Sequence, residues 1–182
     1  MIDVNAPDDP RGIGVLLHPH PDFGGDRFHP FIDRLFHRLP EAGVAGLRFD
    51  FTSADPASAS KQALTAVATG AARWPDLPIV LAGYSFGAGI AGAIGDERIA
   101  GWYLLAPQSS ALVDTAIGQD PRPKALVVPE RDQFSPPAVI AECVAEWVAT
   151  TITVLPDTDH FLGTVDPIVA GALNWVTSVV RR

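Results

Sequence analysis

The segment Pro78-Ile79-Val80-Leu81-Ala82-Gly83-Tyr84-Ser85-Phe86-Gly87-Ala88-Gly89-Ile90-Ala91-Gly92-Ala93-Ile94-Gly95 decides how the chain is read. Its apolar start has the length and continuity of a strand buried on both faces, and its small-residue end suits a helix lying close to a sheet. Between them stands Gly83-x-Ser85-x-Gly87. A G-x-S-x-G pentapeptide that joins a strand to a helix is a nucleophile elbow, a strained turn that lifts a serine hydroxyl above the sheet edge. Gly83 and Gly87 fit it, because a side chain two residues to either side of Ser85 would collide where the strand doubles back. The helix aims its N-terminus at Ser85, where free backbone N–H groups and the helix dipole favour negative charge. Without those flanks the pentapeptide would be a serine in a glycine-rich loop.

Working outward, apolar runs alternate with helical patterns along the whole chain. Expected strands are Ile13 to Leu17, Val44 to Phe51, the elbow strand, Gly101 to Leu105, Lys124 to Val128 and Thr151 to Leu155. Expected helices run from about Phe28 to Glu41, where Phe31, Leu35, Phe36 and Leu39 keep helical spacing, and from Ala57 to Trp74, Ser109 to Ile117, Pro136 to Trp147 and Pro167 to Val180. Such β-α repetition predicts a doubly wound, mostly parallel, six-stranded sheet with helices on both faces. No repeat or low-complexity linker divides it, so residues 1–182 are expected to form one domain. Chemistry in this architecture collects beyond the carboxyl ends of the strands.

Composition narrows the class. A chain of 182 residues, 47% hydrophobic and 19% charged, is globular and long enough to bury about 70% of its unfolded surface. No apolar run approaches the roughly 18 residues of a membrane span, and the acidic, proline-containing start lacks the pattern of a secretory signal, so a cytoplasmic protein is expected. The net charge of −8, with no visible basic patch, argues against nucleic acid as a partner. The lone Cys143, set among Val139, Ile140 and Val144, reads as a small buried hydrophobe.

Ser85 needs a base and an orienting acid, and in elbow enzymes these follow the serine in the order acid, histidine. Of five histidines, His18 and His20 lie in the loop after the first strand and His29 and His37 belong with the first helix. Only His160 follows Ser85, in a loop between the last strand and the last helix. The acid should hang from the end of the preceding strand, where Glu130 and Asp132 both qualify. Asp114 and Asp120 sit farther from a strand end and read as solvated or capping residues. His18-x-His20 lacks the companions a metal site needs, and no metal or other cofactor is expected.

With these pieces assembled, the chain resembles the α/β-hydrolase superfamily, and within it the small dienelactone-hydrolase-like bacterial branch. The matching stretches are Leu17-His18-Pro19-His20-Pro21 with Gly24-Gly25, Leu47-Arg48-Phe49-Asp50-Phe51, Gly83 to Gly87, Glu130-Arg131-Asp132 and Asp159-His160-Phe161. The resemblance implies Ser85 as nucleophile, Asp132 as the acid and His160 as the base. It further implies an oxyanion hole in which a backbone N–H from His20 or close to it joins that of Phe86; Pro19 and Pro21 have no N–H to offer. The implied activity is hydrolysis of a small ester or related acyl compound. A thioesterase or acyltransferase on the same residues, or a binding protein that kept the fold, are the alternatives.

Two departures stand out. Relatives carry an Arg-Gly-x-Gly-x-Ser type turn where this chain has Thr52-Ser53-Ala54-Asp55-Pro56, and their first two strands have no counterpart before Ile13. The edge of the strand Val44 to Phe51 therefore needs cover, either from residues 2 to 6 folded back as a partial strand or from a second copy, which makes a monomer or weak homodimer the expectation. The interval Ala106 to Pro123 is too short for a cap domain. A shallow pocket is expected, bordered by Phe23, Tyr84, Pro107, Phe134 and Phe161, with a small acyl molecule as the partner and no membrane.

Overall fold

A computed structural model describes residues 1–113 and 115–181. Among the described residues, seven strands form one sheet in the order β1-β3-β2-β4-β5-β6-β7. They are β1 (Ile2–Asn5), β2 (Gly12–Leu17), β3 (Val44–Phe49), β4 (Ile79–Tyr84), β5 (Ile99–Leu105), β6 (Lys124–Arg131) and β7 (Thr150–Asp159). All neighbours are parallel except β1, which runs antiparallel to β3. The sheet thus has one strand more than the six expected, and the extra one is the short acidic start.

Its position follows from side-chain chemistry. Ile2 and Val4 pack against the core while Asp3 reaches Arg27 at 3.1 Å and Arg48 at 3.3 Å, and Asn5 donates to the carbonyl of Phe36. Arg48 is buried, stacks over the rings of Phe28 and Phe36, and pairs with Asp33 as well. A buried guanidinium is costly unless it is paired. Asp3 supplies part of that pairing, which fixes β1 on the otherwise open edge of β3.

The described α-helices cover the faces: α1 (Pro30–Arg38), α2 (Pro56–Arg73), α3 (Phe86–Gly92), α4 (Pro137–Cys143) and α5 (Asp166–Val180). Alternation along the strands divides the core. Ile13, Val15 and Leu17 of β2 and Ile79 and Leu81 of β4 meet α2, α3 and α4, whereas Leu16, Val80, Ala82 and Tyr84 meet α1 and α5. Where helices were expected at Ser109 to Ile117 and Pro136 to Trp147, the chain forms 3-10 turns at Ser109–Ala111 and Ala116–Gln119 and the single short helix α4. Asp114 lies outside the described residues. Cys143 is only half-buried, against the expectation of full burial. No described helix is long and apolar enough to cross a membrane.

Candidate active site

β4 runs in the centre of the sheet and ends at Tyr84; Ser85 then takes φ 54°, ψ −114° before α3 begins at Phe86. A serine at that φ is a strained residue, held here because its amide still donates to Leu105 of β5 at 2.9 Å while its carbonyl accepts from Gly89. The glycines play two different parts. A Cβ on Gly83 would stand 2.2 Å from the carbonyl oxygen of Gly87, within the elbow, as the sequence suggested. A Cβ on Gly87 would stand 2.2 Å from the carbonyl oxygen of Leu17, so that glycine lets α3 touch the end of β2.

The turn brings Ser85 Oγ to 2.9 Å from His160 Nε2, and His160 Nδ1 lies 2.7 Å from Asp132 Oδ2. All three side chains are buried. The other carboxylate oxygen of Asp132 accepts the amides of Phe134 at 2.9 Å and Ser135 at 3.0 Å, an arrangement that suits an ionised carboxylate. With Oδ2 accepting from Nδ1–H, the His160 ring presents a bare Nε2 to the serine hydroxyl. Glu130 is turned away: it is exposed and accepts the amide of Asp157 at 2.8 Å. Asp120 is likewise elsewhere, paired with Arg122, whose hydrogen bond holds its carboxyl down to about 2.

The loop after β2 brings His20 beside Phe86, with ring centroids 5.1 Å apart. Phe86 is the first residue of α3, so its N–H has no partner within the helix. Its neighbour His18 has a part that the sequence did not reveal. Fully buried, it contacts the carbonyl of Pro19 through Nδ1 at 2.6 Å and accepts the amide of Phe51 on Nε2 at 2.8 Å, tying the loop to the chain just past β3. Those two partners require the neutral ring with its proton on Nδ1. Desolvation lowers the His18 pKa accordingly, and burial pushes His29, which caps α1, down to about 4. Both rings bind protons more weakly folded than unfolded, where histidine titrates near ~6.5, so their stability is present above that pH and is lost as pH falls below it, for His29 down to about 4. Melting temperature should fall between pH 7 and pH 4.5, and His29→Asn should flatten part of that fall. An unchanged slope would remove His29 from the account.

The cavity at Ser85, about 440 Å³, differs from the expected pocket. Its walls are Phe86, Gly89 and Ile90 of α3 with Ala93 just past it, together with Gln108, Ser110, Ala111, Ala54, Pro56 and His20. Tyr84 is not a wall: it is buried behind the histidine and donates its hydroxyl to the His160 carbonyl at 2.7 Å. Pro107 is buried too, two residues beyond the end of β5. Phe23, Phe134 and Phe161 lie outside the cavity, exposed on the loops around it. The departure at Thr52 to Pro56 gains a meaning here, since Ala54 and Pro56 form part of the cavity wall. A larger hollow of about 630 Å³ lies at the amino ends of β4 and β5 and contains none of these groups. Among the described residues no cluster of His, Cys, Asp or Glu could hold a metal.

No protein-family model and no curated protein matches the chain. Solved structures do. A protein of unknown function from Agrobacterium tumefaciens, a candidate α/β hydrolase, superposes with a TM-score of 0.84 at 25% identity, covering 96% of this chain and 88% of its own. A lidless α/β serine hydrolase from Xanthomonas campestris gives 0.80 at 22% identity over 96% and 86%. A dienelactone hydrolase from Anabaena variabilis gives 0.79 at 16% identity over 98% and 89%. With a strained serine between its central strand and α3, the chain has the α/β-hydrolase fold, which it shares with these structures, a dienelactone hydrolase among them.

Proposed function

We propose that the protein is a serine hydrolase of small esters or related acyl compounds, working through Ser85, His160 and Asp132. The observation that carries this reading is the continuous chain of contacts Ser85 Oγ to His160 Nε2 and His160 Nδ1 to Asp132 Oδ2, at 2.9 and 2.7 Å, on a strained serine in a buried setting.

Ser85 attacks the acyl carbonyl while its proton passes to His160 Nε2. Asp132 holds the ring in the tautomer needed and balances the charge that forms on it. The carbonyl oxygen becomes an oxyanion facing the amides of Phe86 and His20, where each donor is worth roughly 3 kcal/mol. His160 then gives the proton to the leaving oxygen. Water repeats the sequence on the acyl-enzyme and releases the acid. Hydrolysis by these groups calls for no cofactor.

Between β5 and β6 there are only two 3-10 turns among the described residues, so nothing there forms a lid over Ser85. The acyl group occupies the open cavity along α3, where added methylenes improve binding by about 0.8 kcal/mol each only while they are buried. A fluorophosphonate probe should label wild type on Ser85, and kcat/KM over p-nitrophenyl esters should peak between C2 and C6. No labelling would mean a non-catalytic protein; a rise continuing to C12 or beyond would mean a longer channel.

A further inference from the structure

We propose that the exposed rings of Phe134 and Phe161 form the subsite for the leaving group, and that the substrates are esters of uncharged aromatic alcohols with a short acyl part. The inference rests on the hydrolytic reading of Ser85, Asp132 and His160 given above.

The chemistry fixes the orientation of the substrate. A carbonyl oxygen directed at the Phe86 and His20 amides places the acyl group along the cavity that contains Ser85, Phe86 and His20. The leaving oxygen must meet the proton on His160 Nε2, so the leaving group departs on the histidine side. There it finds aromatic surface. Phe134 stands edge-on to the His160 ring at 4.8 Å, and Phe161 stands edge-on to both, at 5.9 Å from His160 and 6.3 Å from Phe134. These rings are 57% and 66% exposed, an unusual state for phenylalanine and one that marks a binding surface when several such residues cluster.

The surface is also held in place. The Phe134 amide is bound to Asp132 Oδ1 and the Phe161 amide to Asp159 Oδ1, each at 2.9 Å. An aromatic ring entering beside them extends the edge-to-face set already present, the arrangement that ring quadrupoles favour. Phe161 further borders a hollow of about 410 Å³ shared with His29, Pro30, Thr164 and Val165. Arg34, at the same hollow, is paired with Asp166, and burial keeps the His29 ring neutral near pH 7. Neither offers a free cation to an acidic leaving group.

The test compares benzyl butyrate with cyclohexylmethyl butyrate, which share the acyl group and nearly the same bulk. Wild type should favour the benzyl ester several-fold in kcat/KM, mostly through KM. The Phe134→Ala/Phe161→Ala variant should cut that preference about fivefold, as should Phe134→Leu/Phe161→Leu, which keeps apolar bulk without the ring. No preference in wild type, or an unaltered preference in both double variants, overturns the subsite. If wild type hydrolyses neither ester, the hydrolytic reading fails by itself, and the Ser85→Ala protein still decides the subsite by NMR. Nuclear Overhauser contacts from the benzyl ring to Phe134 and Phe161 support it; their absence at saturating ester overturns it.

Discussion

Ser85→Ala should lower kcat/KM for p-nitrophenyl butyrate by about 10⁴-fold or more while the melting temperature stays within a few degrees of wild type. The size follows from the role: the hydroxyl forms the acyl-enzyme, and what remains is the background that oxyanion donors and binding give to attack by water. His160→Ala should cost a comparable factor, since the serine then has no base within reach. Asp132→Asn should cost about 10⁴, because an amide can oppose Nδ1 with its own N–H and turn the imidazole to the wrong tautomer. Combining any two should add little, as the three act as a unit. Glu130→Gln is the control. Its carboxylate is exposed and engaged with the Asp157 amide, so activity should change less than about twofold. Steady-state kinetics beside thermal melts separates these outcomes. Wild-type turnover in Ser85→Ala would refute the mechanism, and a large loss at Glu130 with little at Asp132 would reverse the assignment of the acid.

The parts of this site that could be read in the sequence are those tied to a local rule. The elbow is one, because a strand, two glycines and a small-residue helix are adjacent in the chain. His160 is another, because chain order leaves a single histidine after the serine. The choice between Glu130 and Asp132 could not be made from spacing, since both hang from the end of β6. It depends on two backbone amides, of Phe134 and Ser135, that turn back to Asp132 Oδ1.

What stayed hidden was set by contacts remote in sequence. The part played by His18 depends on Phe51, 33 residues away, and the place of Tyr84 on the His160 carbonyl, 76 residues away. Aromatic residues near the motifs were expected to wall the pocket. Of those expected none lines it; beside Phe86, Ile90 and His20 stand Gly89, Ala93 and Ala111, whose lack of bulk makes the space. A cavity is recorded in a sequence by what its small residues omit, and small residues also serve close packing, so no local pattern separates the two. The cover on β3 was legible as far as the alternation of Ile2 and Val4 with Asp3 and Asn5. Its anchoring to Arg48 needed the fold.

Gly87→Ala should be strongly damaging, costing about 3 kcal/mol or more in stability and lowering the melting temperature by roughly 6–12 °C. The added Cβ would stand 2.2 Å from the carbonyl oxygen of Leu17, 2.5 Å from its carbon and 2.6 Å from the carbonyl oxygen of His18. All three are backbone atoms of the end of β2 and the loop beyond it, so no rotamer change relieves the clash. Either α3 or the His18–His20 loop must move. These two segments carry the Phe86 and His20 amides, so separating them should weaken oxyanion binding and lower kcat more than it raises KM. Gly171→Ala in α5 provides the comparison, because a Cβ there meets nothing within 4 Å. Removing a glycine from an exposed helix interior should leave activity intact and raise stability by up to about 1 kcal/mol. Thermal melts and kinetics on the two variants place the same methyl group at two glycines of opposite consequence. A Gly87→Ala protein with wild-type melting temperature and kcat would show that α3 is not held against β2 in the way the geometry requires.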